Sequence, residues 1–396
     1  MHVMSARTSA PVPSAGDVLS LIRRGEVSTR SDVVRVTGLS RTAVTARLAA
    51  LLRSGLLVEG DDAPSTGGRP PAQLRFNARA GVVLAGALGR SRTQLGLCDL
   101  EGEVLASAEF DHADGAVPDD LMPRLLDGFE ELLRGVALAP SAVRGVGLSI
   151  PGTVDIERGT SLASPIMRGW DGVPLAPYLE PLGGMPVRID NDANVLALSE
   201  ARGHLQTHRD LVVVKASTGI SCGILSEGRL LRGARGAAGE IGHTKSPSAQ
   251  GRPCRCGETG CLEAVAGGWA LVQEVAAAGR PVSHIRELVE QAARGDAEAR
   301  ARIRDSGRHV GDVLAAVVNL LNPRAVVVGG DMAPAYDTFV AGLRETLYAG
   351  ATDVASRDLE ILPSTYGAQA GVVGCAQLVL SEVLSATSLD KALAAG

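Results

Sequence analysis

The chain has 396 residues, 45% hydrophobic and 21% charged, with a net charge of −5, enough for two or three domains with a sizeable core. Only 3% of residues are aromatic, so Leu, Val and Ala must fill that core. No apolar run approaches a bilayer span, the start lacks the apolar stretch of a secretory signal, and six cysteines in so long a chain fit a reducing compartment, so a cytoplasmic location and no membrane partner are expected.

The charge is uneven. Residues 1–80 carry 11 Arg, no Lys and 6 Asp or Glu, a net of +5, which leaves −10 on the remainder. A basic segment on an acidic body points to a polyanion partner for that segment; a solvated arginine-rich face is the plainer alternative.

Residues 1–15 are rich in Ser, Ala and Pro and read as a disordered tail. A first helix follows with Val18, Leu19 and Ile22 on one face, and a second with Val33, Val34 and Val36, closed by Gly38. A third starts at Ser40, a good N-cap, and carries Val44, Leu48, Leu51 and Leu52 as its inward stripe before Gly55. Ser40, Arg41, Thr42, Thr45 and Arg47 are left for the outward face. Two short helices across a glycine turn make a helix-turn-helix, whose second helix offers its first residues to the major groove of operator DNA. LLVEG and AQLRFN then pair as a wing. Its tip, STGGRPP, holds Arg69 on a flexible arm suited to a minor groove. A small helical bundle with a solvated loop tip is the alternative. Residues 16–78 are thus expected to form a winged helix-turn-helix domain.

From residue 80 strands and helices alternate. GVVLAGAL and TQLGLCDLEGEVLASAEF read as three strands, 119–134 as a helix, VRGVGLSIPG as a buried strand, and PVRIDNDANVLALSEARG as strand, polar turn and helix. DLVVVKASTGISCGILSEGRLL reads as a hairpin, followed by a cysteine loop, several helices, the strand AVVVGGDM and a final helix. The order βββαβαβ occurs twice in loose form, which fits two similar α/β lobes around a cleft. The lobes are expected at 79–198, completed by the C-terminal helix at about 378–396, and at 199–377.

The cysteine loop is the most specific stretch. His243, Cys254, Cys256 and Cys261 lie within nineteen residues, among glycines and prolines. Three thiolates and one imidazole are the donor set of a tetrahedral structural zinc with no open position for catalytic water. Free thiols or a disulfide are the alternative.

LSIPG, IDNDAN, GAAGEIGH, CRCGETGC and VVVGG, in this order, resemble the ROK family of sugar repressors and sugar kinases over about residues 16–380. GLSRTAV and the GGRP tip resemble its transcriptional-regulator branch. The resemblance implies a two-lobed actin-like, ribonuclease-H-like sugar-kinase fold with a zinc loop. It puts Asp192 at the position of the kinase's catalytic base, with Gly152, Asn191, Glu240, His243 and Glu263 around the sugar. Taken alone, an Asp in a turn is usually an Asx-turn. Family kinases also carry an Asp-x-Gly-x-Thr/Ser turn for Mg²⁺ and phosphate; here Ala87 stands for that Asp. In the second phosphate loop Ser221 stands for a Gly. The reading is therefore a non-enzymatic repressor with no catalytic residue, binding operator DNA as a homodimer or dimer of dimers and a small sugar as effector, with structural zinc. An active sugar kinase with an attached DNA-binding domain is the alternative, and a zinc-stabilised scaffold the third.

Overall fold

A computed structural model describes residues 12–62, 72–162, 167–203 and 205–395. Most of the expected tail, and Arg69, lie outside the described residues. The described chain forms two compact units. One holds the residues up to Val82, Asp99–Glu101 and Leu380 onward; the other holds Val83–Cys98 and Gly102–Val379.

The first unit is built from α1 (Ala15–Arg23), α2 (Arg30–Thr37), α3 (Arg41–Arg53) and the strands β1 (Leu57–Asp62) and β2 (Ala72–Phe76). Ser14 with Asp17 and Thr29 with Asp32 form reciprocal capping boxes that fix where α1 and α2 begin. The second box starts α2 three residues before the apolar positions the sequence marks. On that helix Val33 is buried while Val36 is 43% exposed. Val18, Leu19, Val44, Leu48 and Leu51 complete a small core with Leu57 and Leu74 from the strands. β1 and β2 pair antiparallel, with Leu57 opposite Phe76. The C-terminal helix Ala386–Ala395 packs against α1, where the Gly16 N–H donates to Asp390 Oδ1 at 2.9 Å. The end of the chain therefore belongs with the N-terminal helices rather than with the first lobe.

The second unit begins with β3 (Val82–Leu88), β4 (Arg92–Asp99), β5 (Val104–Asp111), α4 (Pro118–Gly135) and β6 (Val143–Ile150). A short ladder of β7 (Val154–Asp155) and β8 (Thr160–Ser161) precedes β9 (Val187–Asn191) and α5 (Asp192–Glu200). Its second half runs β10 (Leu211–Ala216), β11 (Ile220–Ser226), β12 (Arg229–Leu230), α6 (Glu263–Ala266), α7 (Gly268–Ala277), α8 (Ile285–Ala293) and α9 (Ala297–Leu321). It ends with β13 (Ala325–Gly329), α10 (Tyr336–Gly350), α11 (Asp353–Ser356), β14 (Glu360–Pro363) and α12 (Ala370–Val383).

The sheets have strand orders β5-β4-β3-β6-β9 and β12-β11-β10-β13-β14. Both follow one scheme: an outer hairpin strand, its partner, the first strand, then two later strands. β10, β13 and β14 are parallel, as are β6 and β9. Parallel strands covered on both faces read as continuous apolar runs, which is why LVVVKA and AVVVG show no alternation. α12 fills the first half: a Cβ on Gly147 of β6 would lie 1.9 Å from the Cys375 carbonyl oxygen. The 25-residue α9 packs on α10 the same way, with Gly342 so close that a Cβ would meet the Arg304 carbonyl at 1.9 Å. Among the described residues no single helix is long and apolar enough to cross a membrane.

Candidate functional site

A cleft of about 830 Å³ opens in the second unit, lined by the turns and C-terminal strand ends of both sheets. Strand ends in open α/β sheets are where ligands bind, because side chains there are free of the sheet. Gly152, Asn191, Asp192, Glu240, His243 and Glu263 all line it.

β9 runs directly into α5, without the polar turn the sequence predicts. Asn191 is the N-cap: its Oδ1 accepts from the N–H groups of Ala193 at 2.8 Å and Asn194 at 3.2 Å. Its Nδ2 donates to the Gly152 carbonyl at 2.9 Å, and Gly152 itself has φ +85°. The side chain expected to hold a hydroxyl is thus mostly committed to the fold, with one amide N–H left over. Asp192 becomes the first helical residue, where the helix dipole favours a carboxylate. Lys215 of β10 donates to its Oδ2 at 2.6 Å. Burial alone would lower the Lys215 pKa, but Asp192, with Asp331 and Glu263 nearby, overrides it and holds it above lysine's ordinary value. The sequence reading missed this lysine; a lone charge in LVVVKA was the signal.

Glu263 opens α6. Its Oε2 accepts from the Ile220 N–H at 3.0 Å and its Oε1 from the Trp269 indole at 2.9 Å, leaving one lone pair on each oxygen. Glu240 follows Gly239, whose φ of +94° and approach to the Cys222 carbonyl, 1.8 Å from a built Cβ, admit only glycine. Burial raises the Glu240 pKa; His243 opposes this, and Asp192 and Glu263 add to it.

The four loop residues meet as their chemistry requires. One ligand atom from each of His243, Cys254, Cys256 and Cys261 lies within 4.8 Å of the others, so the group can hold a metal ion. Cys256 Sγ and Cys261 Sγ are 3.8 Å apart, as are His243 Nδ1 and Cys254 Sγ. The first spacing is far longer than a disulfide and equals the edge of a tetrahedron with metal–sulfur bonds of about 2.3 Å. The other imidazole nitrogen, Nε2, is 3.9 Å from Glu240 Oε2.

Elsewhere Ala87 lines the cleft with a methyl, and Ser221 lies opposite Lys215 in the β10–β11 register. Arg90 is held by Asp114 through contacts of 2.7 and 2.8 Å. Gly330 and Asp331 complete this wall, where Ser217 Oγ accepts from the Asp331 N–H at 2.9 Å. Arg92, Arg255, His284 and Arg286 also line the cleft and were not foreseen. The Arg286 N–H donates to His284 Nδ1 at 3.1 Å, so the ring proton sits on Nε2, 3.2 Å from Thr218 Oγ1. Burial first, then Arg286, lower the His284 pKa, which keeps the ring neutral.

In the first unit Ser40 caps α3, accepting from the Ala43 N–H at 3.2 Å. Arg41, Thr42 and Thr45 are exposed in its first turns. Arg47 differs from expectation. It is half-buried, and its Nε donates to the Pro13 carbonyl at 2.7 Å, because that main chain crosses beside α3.

The ROK family model matches residues 84–382, which spans both sheets and the cysteine loop. The chain belongs to the ROK family. It is 29% identical over 382 residues to the xylose repressor of Caldicellulosiruptor bescii, covering 93% of this chain and 95% of that one. A crystal structure of a ROK-family transcriptional regulator, a homologue of the Escherichia coli Mlc protein, superposes with a TM-score of 0.79 at 29% identity, over 96% of this chain and 98% of that one. The Streptomyces griseus ROK glucokinase, solved with glucose and AMPPNP, superposes with a TM-score of 0.64 at 28% identity, over 75% of this chain and 99% of the kinase.

Proposed function

We propose that this chain is a DNA-binding transcriptional repressor of carbohydrate metabolism, governed by a sugar held in a kinase-like cleft that no longer transfers phosphate. One observation carries the reading. The regulator matches the chain nearly end to end, whereas a complete glucokinase accounts for three quarters of it. What remains includes the arginine-rich N-terminal segment.

Within this reading α1–α3 and the β1–β2 ribbon act as a winged helix-turn-helix. α3 is the recognition helix, and Ser40, Arg41, Thr42 and Thr45 face the major groove. Arg47 drops out of that surface, since its guanidinium braces the Pro13 carbonyl. We assign Arg69, which lies outside the described residues, to the minor groove. The chain acts as a homodimer or a dimer of such dimers, each winged helix reading one half-site. The body takes the sugar between Asp192, Glu240, His243 and Glu263, with Gly152 and Asn191 shaping the floor.

The cysteine loop holds one structural zinc through His243, Cys254, Cys256 and Cys261. The ion supplies rigidity, fixing Glu240 and Glu263 on either side of it in sequence. His243 keeps Nε2 for the ligand side. Phosphate transfer needs a free base, a metal-holding carboxylate and an open glycine loop. Here Asp192 is bound by Lys215, and Ala87 and Ser221 replace the other two parts.

The second reading, an active sugar kinase with an attached DNA-binding domain, rests on the likeness to the glucokinase and on the retained Asp192 and Gly330. Calorimetry with a panel of hexoses, N-acetylhexosamines and pentoses, with and without Mg-ATP, separates the two. Binding of a sugar without nucleotide, and its effect on operator affinity, support the repressor. Sugar-dependent ATP turnover at ordinary kinase rates overturns it.

A further inference from the structure

Five cationic side chains line the cleft, and four of them have carboxylate partners. Arg90 is fixed by Asp114, Arg92 by Asp111 at 2.9 Å, Lys215 by Asp192, and Arg286 lies 3.7 Å from Asp331. Arg255 is the exception. Among the described residues no carboxylate lies within ion-pair distance of it, and its Nη1, buried from solvent, has no hydrogen-bond partner. The guanidinium rests over the Trp269 ring, 5.0 Å from its centroid. The other cations of the same loop do not share this state: Lys245 and Arg252 are paired with Glu258 and Glu274. An arginine cannot shed its charge, and a buried N–H without an acceptor is costly, so this geometry calls for an acceptor from outside the chain.

We infer, building on the sugar-cleft reading above, that the effector is a monosaccharide carrying an anionic oxygen group, a phosphate or a carboxylate, and that Arg255 receives that group. The planar fork of a guanidinium accepts either anion through paired hydrogen bonds, which a neutral hydroxyl cannot match. Trp269 holds the fork in place from behind, and its indole is tied to Glu263 on the sugar side. The same two side chains thus join the anion contact to the hydroxyl contacts. Because Arg255 sits between two metal-loop cysteines, its backbone is fixed by the loop rather than by the ligand.

The test uses the full-length zinc-loaded protein and matched sets of ligands: neutral hexoses and N-acetylhexosamines, their 6-phosphates, and the corresponding uronic acids. Affinity is read by calorimetry and by quenching of Trp269, one of two tryptophans in the chain. For at least one set the charged member binds the wild type about tenfold or more tightly than its neutral parent, the range of a charge-assisted hydrogen bond. The arm that carries the preference identifies the anion as phosphate or carboxylate. Arg255→Ala brings the ratio below about twofold and Arg255→Lys leaves an intermediate one, as expected when a bidentate fork becomes a point charge. Metal content per chain checks that the loop is intact, and the wild-type ratio decides alone if Arg255→Ala loses its metal. A ratio near one in the wild type, or one unchanged in Arg255→Ala, overturns the assignment while leaving the sugar cleft standing. No binding by any member of any set overturns both.

Discussion

On the repressor reading the Asp192–Lys215 pair keeps Asp192 from serving as a free base, and its strength can be measured directly. The two side chains are 12% and 23% exposed, with 2.6 Å between Nζ and Oδ2. Two unit charges about 3 Å apart attract by about 5 kcal/mol at an effective dielectric of 20. Desolvation of two largely buried ions offsets much of this, which leaves a coupling of about 1–3 kcal/mol. Lys215→Met keeps the length of the side chain and removes the charge, so the Asp192 carboxylate loses its cation. Urea denaturation is expected to report about 1–3 kcal/mol of lost stability in that variant. In an Asp192→Asn background the same substitution costs much less, and the difference between the two costs is the coupling. The sign with pH follows from Lys215, whose folded pKa is raised: the pair's contribution is fully present below lysine's unfolded value of about 10.4 and is lost as pH rises through the folded one. It is therefore constant between pH 6 and pH 9 on the lysine side (about four to one units below that value). A coupling under about 0.5 kcal/mol refutes the argument that Asp192 is a held carboxylate rather than a free base.

Four further outcomes are expected. Purified protein contains one zinc per chain by elemental analysis; Cys256→Ser loses the metal and with it the sugar response, whereas full sugar affinity in a metal-free variant removes the brace role. Arg41→Ala weakens operator binding and lowers the slope of log affinity against log salt by about one, as expected for the loss of one phosphate contact; an unchanged slope takes Arg41 out of the interface. A coupled assay detects no sugar-dependent ATP hydrolysis above background, because each 1.36 kcal/mol of transition-state stabilisation lost with the carboxylate at 87 and the glycine at 221 is about a tenfold loss of rate. Gly147→Ala drives a methyl toward the Cys375 carbonyl and costs at least about 1–3 kcal/mol in chemical denaturation, so a neutral effect refutes the close packing of β6 on α12.

The local signals that needed only neighbours in sequence were legible from the chain alone. The stripe Val44, Leu48, Leu51 gave α3, and the apolar runs LVVVKA and AVVVG gave strands, because helix period and two-faced burial are written into residue order, whereas their parallel pairing came only from the fold. The crowding of Cys254, Cys256 and Cys261 near His243 announced a cluster able to hold a metal ion for the same reason: its donor atoms are close in sequence and define the chemistry. The three N-terminal helices announced themselves through caps and glycine stops. Tertiary structure decided whatever depends on residues far apart. Asp192 and Lys215 are 23 positions apart and meet because β9, α5 and β10 bring a helix start beside a strand. Arg47 reads as an outward arginine on a helical wheel, yet the chain entering α1 passes close enough for Pro13 to take its guanidinium. Asn191 reads as a free polar side chain until the strand is seen to run straight into a helix that needs a cap. The C-terminal helix looked like the end of a lobe, but Asp390 meets Gly16 across almost the whole chain, a pairing no local pattern encodes. Arg255 sits in the most recognisable motif of the sequence, and only the fold reveals that, unlike the other cations of its cleft, it has an aromatic seat and, among the described residues, no carboxylate within ion-pair distance.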